Sequence, residues 1–204
     1  MKRALVIGID HYPAANDALK GCVNDAVEIS AMLKTNGDGS PNFDILRLVS
    51  NEESVTMKLL NDSIKDLFSR EADIVLLYFA GHGVMDDETG NAFLVAQDGS
   101  DPAWGVSLAS VLELANNAYP KIKSTVILLD CCQSGFAREI SGLAESGNVS
   151  HIGNGLTILT ACHRQGYASE EGGHGRFTDI LLDGLNGAAS DILGRVTPAA
   201  LYAH

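Results

Sequence analysis

The chain has 204 residues, enough for one α/β domain with a full core and too few for two ordinary ones. With 46% hydrophobic residues it is expected to pack as a globule rather than stay disordered. The net charge of −12, from 26 acidic and 14 basic residues, argues against nucleic-acid phosphates and anionic membranes as partners, and would attract a basic substrate.

Met1-Lys2-Arg3 runs directly into Ala4-Leu5-Val6-Ile7, which is too short for the apolar region of a signal peptide and lacks a cleavage site. The longest apolar run, Ile74 to Ala80, is far below membrane-spanning length. A cytoplasmic protein without membrane contact is therefore expected. A reducing compartment would keep Cys22, Cys131, Cys132 and Cys162 as thiols. No C-x-x-C or H-x₃-H spacing occurs, so a structural zinc site is not expected; no other metal and no cofactor is expected either.

Strand and helix patterns alternate along the chain. Ala4 to Asp10 (ALVIGID) is a continuous apolar run and reads as a buried strand. Asn24 to Lys34 has helical spacing, with Asn24 or Asp25 available as its N-cap. Gly37 to Pro41 is a loop, and Phe43 to Val49 a second strand. Val55 to Arg70 places Leu60, Ile64, Leu67 and Phe68 on one face of an amphipathic helix. Asp73 to Ala80 (DIVLLYFA) is the strongest strand pattern.

Val84 to Asp98 is acidic, with Gly90-Asn91 in its middle, and reads as a hairpin or an ordered loop. A helix is expected over Val106 to Ala118, a fourth strand over Ser124 to Asp130 and a fifth over Leu156 to Thr160. Gly and Ser crowd Ser141 to Gly155, which predicts a mobile stretch. A helix follows over Phe177 to Leu185, and Thr197-Pro198 starts another. Such alternation implies a mostly parallel central sheet with helices on both faces and right-handed crossovers. In sheets of this kind the active site lies at the carboxyl ends of the strands. Three places qualify: after Asp10, after Ala80 and after Asp130.

The second of these reads Ala80-Gly81-His82-Gly83, and the third Asp130-Cys131-Cys132-Gln133-Ser134-Gly135. The glycines beside His82 allow a ligand backbone to come close and expose N–H groups. A cysteine needs a base to become a thiolate, and a histidine on the adjacent strand supplies one. The same imidazole can return the proton to a leaving amine. Taken singly, a cysteine at a strand end is a small core residue and a histidine in a Gly-rich turn is a surface residue. Together at strand ends of one sheet they favour a catalytic pair. His82 and Cys132 are also 50 residues apart, the spacing found in caspases.

Tyr78 to Gly83 and Leu129 to Gly135 resemble the two signature blocks of the caspase superfamily, in the form found in metacaspases and their bacterial relatives. Ala4 to Asp10 resembles that family's first strand, and Lys20-Gly21-Cys22-Val23-Asn24-Asp25-Ala26 its first-helix motif. Leu159 to Glu170 followed by Gly175-Arg176-Phe177-Thr178 is similar to its fifth strand, substrate loop and next helix. The likeness covers nearly the whole chain. It implies a caspase-like three-layer sandwich over 1–204, as a single peptidase domain that ends before the last helix and strand typical of the fold.

By the resemblance, Cys132 is the nucleophile, His82 the general acid and base, and the backbone N–H groups of Gly83 and Cys132 the oxyanion donors. Asp25 and Asp130 correspond to an acidic pocket for Arg or Lys, and Cys22 to a further pocket residue. The residues alone leave Asp25 equally as a helix N-cap and Asp130 as a strand end; the resemblance favours the pocket. Ala80 and Gln133 stand where the family often has Ser and His. Asp86-Asp87-Glu88 is shorter than the acidic calcium-binding segment of many metacaspases, so no calcium requirement is expected. The implied activity is a cysteine endopeptidase acting on proteins or peptides after a basic residue, joined to a sensor or scaffold module or a regulatory partner. The alternative is a catalytically silent regulatory or binding module of the same fold.

Overall fold

The computed structural model describes residues 1–13, 19–86, 88–131, 154–161, 170–171 and 174–204. Five parallel strands form the centre: β1 (Lys2–Gly8), β2 (Asp44–Val49), β3 (Ala72–Ala80), β7 (Ile122–Asp130) and β8 (Leu156–Thr160), in the order β2-β1-β3-β7-β8. A three-stranded antiparallel sheet consists of β4 (Gly83–Met85), β5 (Ala92–Ser100) and β6 (Ala103–Ser107). Two short strands, β9 (Glu170–Glu171) and β10 (His174–Gly175), form a ribbon. The helices are α1 (Cys22–Lys34), α2 (Met57–Ser69), α3 (Leu108–Asn117), α4 (Arg176–Asp183) and α5 (Pro198–Ala203), with a π-helical turn at Gly184–Ala188. The architecture is the expected α/β sandwich with helices on both faces of a parallel sheet.

The side-chain alternation of the strands divides the core into two layers. Leu5, Ile7, Leu77, Phe79, Ile127 and Leu129 pack with Leu60, Ile64 and Leu67 of α2 and Val111 and Leu112 of α3. Ala4, Val6, Leu76, Tyr78, Ala80, Val126 and Leu128 face the opposite way, towards Ala26, Ile29 and Leu33 of α1 and Leu181 of α4. Burial on both faces is why β3 and β7 read as unbroken apolar runs. Asp130 has the parity of Val126 and Leu128, so it belongs to the α1 face.

Local chemistry sets where elements begin and end. Thr56 caps α2 by accepting the N–H of Leu59, and Thr197 caps α5 in the same way from Ala200. The buried Arg3 closes the far end of α2, donating to the carbonyls of Asp66 and Leu67 and pairing with the Asp66 carboxylate. A cavity of about 190 Å³, lined by Arg3, Asp44, Ser63, Asp66 and Arg70, lies at this amino-terminal end of the strands. Among the described residues no helix is long and apolar enough to cross a membrane.

Two details differ from the sequence expectation. Helix α1 begins at Cys22 rather than Asn24, and neither Asn24 nor Asp25 caps it. Its first amides are taken from outside the helix: Asp10 accepts from Cys22 N–H at 2.8 Å and from Val23 N–H at 3.4 Å. The hairpin foreseen over Val84 to Asp98 is β4–β5, turning at Gly90 with φ +70°, but a third strand, β6, precedes α3 and delays its start to Leu108. The mobile stretch expected from Ser141 lies outside the described residues up to position 153.

Because Asp10 replaces a local cap, Asp10→Ala should lower the unfolding free energy by about 1 kcal/mol. Asp10→Asn, which keeps one acceptor, should recover part of the loss. Urea titration followed by circular dichroism checks this, and an Asp10→Ala midpoint equal to wild type would refute the capping role.

Candidate functional site

The carboxyl ends of β1, β3 and β7 lie side by side, since Gly8 pairs with Ala80 and Ala80 with Asp130. Strand pairing continues past the ends: Ile9 N–H donates to Ala80 C=O at 3.0 Å, and Gly81 N–H to Asp130 C=O at 3.3 Å. His82 therefore leaves the sheet from a braced strand end and is half-buried. Cys131, the residue after β7, is 2% exposed. Cys132 lies outside the described residues. Both His82 and Cys132 are the second residue beyond the registered pair Ala80–Asp130.

Gly83 opens β4, which forms the outer strand of its small sheet. Val95 N–H donates to His82 C=O at 3.0 Å, so the carbonyl of the His82–Gly83 peptide points towards β5. Gly83 stands opposite Leu94, and in the trans peptide its N–H points opposite to the His82 C=O, off the strand edge. A buried amide aimed off an edge, next to an imidazole, has the placement an oxyanion donor needs.

The two acidic candidates meet. Asp25 is 2% exposed in the first turn of α1, and Asp130 is 8% exposed at the end of β7. Between them comes Gly175, the N-cap of α4. A Cβ on Gly175 would stand 2.7 Å from Asp130 Oδ2 and 3.3 Å from Asp25 Oδ2, so both carboxylates converge on one point and only glycine fits beside them. Asp25 Oδ2 accepts the Gly175 N–H at 3.1 Å. Asp130 Oδ2 accepts the Thr178 hydroxyl at 2.6 Å.

Behind Thr178, Tyr78 is fully buried with its hydroxyl 2.6 Å from Thr178 Oγ1. Thr178 has one hydroxyl proton and gives it to Asp130, so Tyr78 donates to Thr178. Burial pushes the Tyr78 phenol well above its ordinary value, and the charges of Asp130 and Asp25 push the same way, which keeps that donor proton in place. The amino-terminal end of α4 adds a favourable partial positive charge beside the pair. Cys22 opens α1, is half-buried and packs against the core layer of Tyr78, the layer whose parity Asp130 shares.

The block Gly175-Arg176-Phe177-Thr178 carries no readable task in the sequence beyond its likeness to a family motif. The structure gives Gly175 and Thr178 to the acid pair, while Arg176 is exposed. Tyr12 was not singled out at all, and its hydroxyl accepts the His82 N–H. Among the described residues, no three His, Cys, Asp or Glu side chains gather in a metal-holding cluster.

Thr178→Val keeps shape but removes the donor to Asp130 and the acceptor for Tyr78. It should cost about 1–3 kcal/mol of stability, because a buried carboxylate and a buried phenol each lose a partner. Thermal and denaturant unfolding measure this, and an unchanged stability would show that the relay is not formed.

The comparisons with known proteins bear on the fold and the family. The family described as Caspase domain matches residues 1–198. Metacaspase-7 of Arabidopsis thaliana is 27% identical over 146 residues, covering 66% of this chain and 35% of the plant protein. A probable protease of a Desulfuromonadales bacterium is 24% identical over 218 residues, covering 92% of this chain and 26% of its own length. The chain thus spans about a third and a quarter of these curated relatives. Among solved structures, the Drosophila initiator caspase Dronc superposes with a TM-score of 0.66 at 14% identity, over 94% of this chain and 68% of Dronc. A Geobacter sulfurreducens protein gives 0.65 at 16% identity, over 91% and 81%. Caspase-1 of Spodoptera frugiperda gives 0.64 at 15%, over 93% and 70%. The parallel sheet, the strand-end histidine and the matched family together establish that this chain belongs to the caspase-domain peptidase family.

Proposed function

We propose that the chain is a cysteine endopeptidase that cuts peptide bonds after Arg or Lys. The observation that carries the specificity is the convergence of two buried carboxylates, Asp25 and Asp130, on one point at the carboxyl end of the sheet. Like charges gathered out of water are costly unless a cation joins them. A guanidinium offers donors in a planar fork that suits one carboxylate in two bonds while a second carboxylate balances the remaining field. The bonds from Gly175 N–H and the Thr178 hydroxyl orient the pair. Cys22 lines the same pocket.

The catalytic assignment rests on the shared offset of His82 and Cys132 from one registered strand pair, at neighbouring strands about 4.8 Å apart. His82 takes the proton of the Cys132 thiol. The thiolate attacks the carbonyl carbon of the scissile bond, and the developing oxyanion is met by the N–H groups of Gly83 and Cys132. His82 then protonates the departing amine as the C–N bond breaks, which leaves a thioester. Water, deprotonated by His82, attacks the thioester, and the carboxylate product leaves with the thiol restored. Residues 1–204 act as one peptidase domain in the cytoplasm, on protein or peptide substrates. The greater length of the relatives supports a sensor, scaffold or regulatory partner beside it.

Cys132→Ala and His82→Ala should abolish peptide cleavage, while Cys131→Ala keeps much of it. Activity lost through Cys131 and kept without Cys132 would overturn the assignment. No cleavage of any peptide would favour a silent binding module instead.

In a fluorogenic panel varying only the residue before the cut, Arg should exceed Lys, whose ammonium is a more strongly hydrated point charge, and Asp should not be cut. Asp25→Asn and Asp130→Asn should each lose about 2–5 kcal/mol of binding to the basic side chain, as when one partner of a buried charge pair is removed. Their thiol should still react with a small alkylator. Better cleavage after Asp than after Arg would refute the acidic pocket, as would a double mutant that keeps its Arg preference.

A further inference from the structure

The carboxyl end of β1 is the remaining strand end that the family motifs leave without a task beyond the capping of α1. The chain passes from Gly8 through Ile9 and Asp10 to Tyr12, staying beside the end of β3 because Ile9 bonds to Ala80 C=O. Tyr12 is 4% exposed and belongs to the core layer that holds Ile7, Ile9 and Phe79. Its hydroxyl oxygen accepts the backbone N–H of His82 at 2.8 Å. Its ring centroid is 4.6 Å from that of the imidazole, tilted by 47°. From these contacts we infer that Tyr12 is the positioning residue of His82, an inference that rests on the Cys-His reading above.

Three features make the contact specific. First, a Cβ on Gly81 would lie 2.4 Å from the Tyr12 hydroxyl oxygen, so the residue before the histidine must be glycine for the hydroxyl to reach the amide. Second, the carbonyl of His82 is held from the opposite side by Val95 N–H. The peptide units on both sides of the His82 Cα are thus tied to different elements, β1's extension and β5. Only the side-chain torsions remain, and the tilted Tyr12 ring restricts them by occupying one side of the imidazole. Third, burial pushes the Tyr12 phenol well above its ordinary value, against the opposing effect of the His82 hydrogen bond, and the Asp10 carboxylate pushes the same way as burial. It stays a neutral, fixed acceptor rather than a second base.

A mere core tyrosine would be replaceable by phenylalanine. Tyr12→Phe keeps the ring and its packing and deletes only the acceptor, which leaves the His82 N–H without it. With an Arg fluorogenic peptide, Tyr12→Phe should lower kcat about ten- to hundredfold, the scale on which a small misplacement of a catalytic group acts, with KM unchanged. In the His82→Ala background the same change should not slow thiol alkylation further, because Tyr12 acts through His82. Unchanged kcat, a loss confined to KM, or an additive effect in the double mutant would overturn the inference.

A second readout does not depend on peptidase activity. In isotope-labelled protein, Tyr12→Phe should move the His82 ring resonance, assigned by its absence in His82→Ala, and leave the other five of the six histidines nearly in place. A motionless His82 signal refutes positioning outright. A shifted signal in a chain whose wild type cuts no peptide supports positioning and counts against the peptidase reading alone.

Discussion

Two carboxylates that face the same buried point repel each other and have each given up most of their water, so such a pair persists only where the fold surrounds it with donors. The start of α4 supplies donors to both Asp25 and Asp130. Gly175 brings its N–H to one carboxylate and, having no Cβ, lets the other approach. One turn later Thr178 gives its hydroxyl to Asp130 and receives that of Tyr78. Each of these bonds to a charged acceptor is worth about 1.5–3 kcal/mol. The pair therefore ties α1, β3, β7 and α4 together at the end of the sheet where the family does its chemistry. The proposed preference for a basic side chain rests on this pair, and the net charge of −12 would add a long-range attraction of the same sign.

The connection after β1 serves both halves of the site. Asp10 receives the first amides of α1, the helix that carries Cys22 and Asp25. Two residues later Tyr12 receives the amide of His82. One short segment thus sets the helix of the acid pair and the backbone of the histidine against a common reference, the end of β1. That economy follows from the parallel topology, in which every strand delivers its carboxyl end, and the loop after it, to the same edge.

The parts of this arrangement that could be read along the chain are those whose cause is local or periodic. The run from Ile74 to Ala80 declared a strand buried on both faces, and Leu60, Ile64, Leu67 and Phe68 declared one face of a helix. The acid pair was foreseen through likeness to a family, since nothing in the spacing of Asp25 and Asp130 shows that they meet. What escaped has its cause elsewhere in the chain. The cap of α1 comes from a residue in the preceding loop, where a search for caps looks only at Asn24 and Asp25. Strand β6 is short, follows Pro102 and contains Gly105, so no alternation marks it. Tyr12 lies 70 residues before the amide it receives, and a single tyrosine after a strand carries no sign of that partner.

The most direct test of the account is covalent. A peptidyl acyloxymethyl ketone ending in Arg reacts when a thiolate displaces its carboxylate and forms a thioether, so it reports nucleophile and pocket in one event. After incubation with the protein, digestion and mass spectrometry locate the bond. The account predicts a single thioether at Cys132, formed faster than with the same reagent ending in Asp, and slowed when Asp25 and Asp130 are both changed to Asn. A thioether at Cys131, or faster labelling by the Asp reagent, would contradict it.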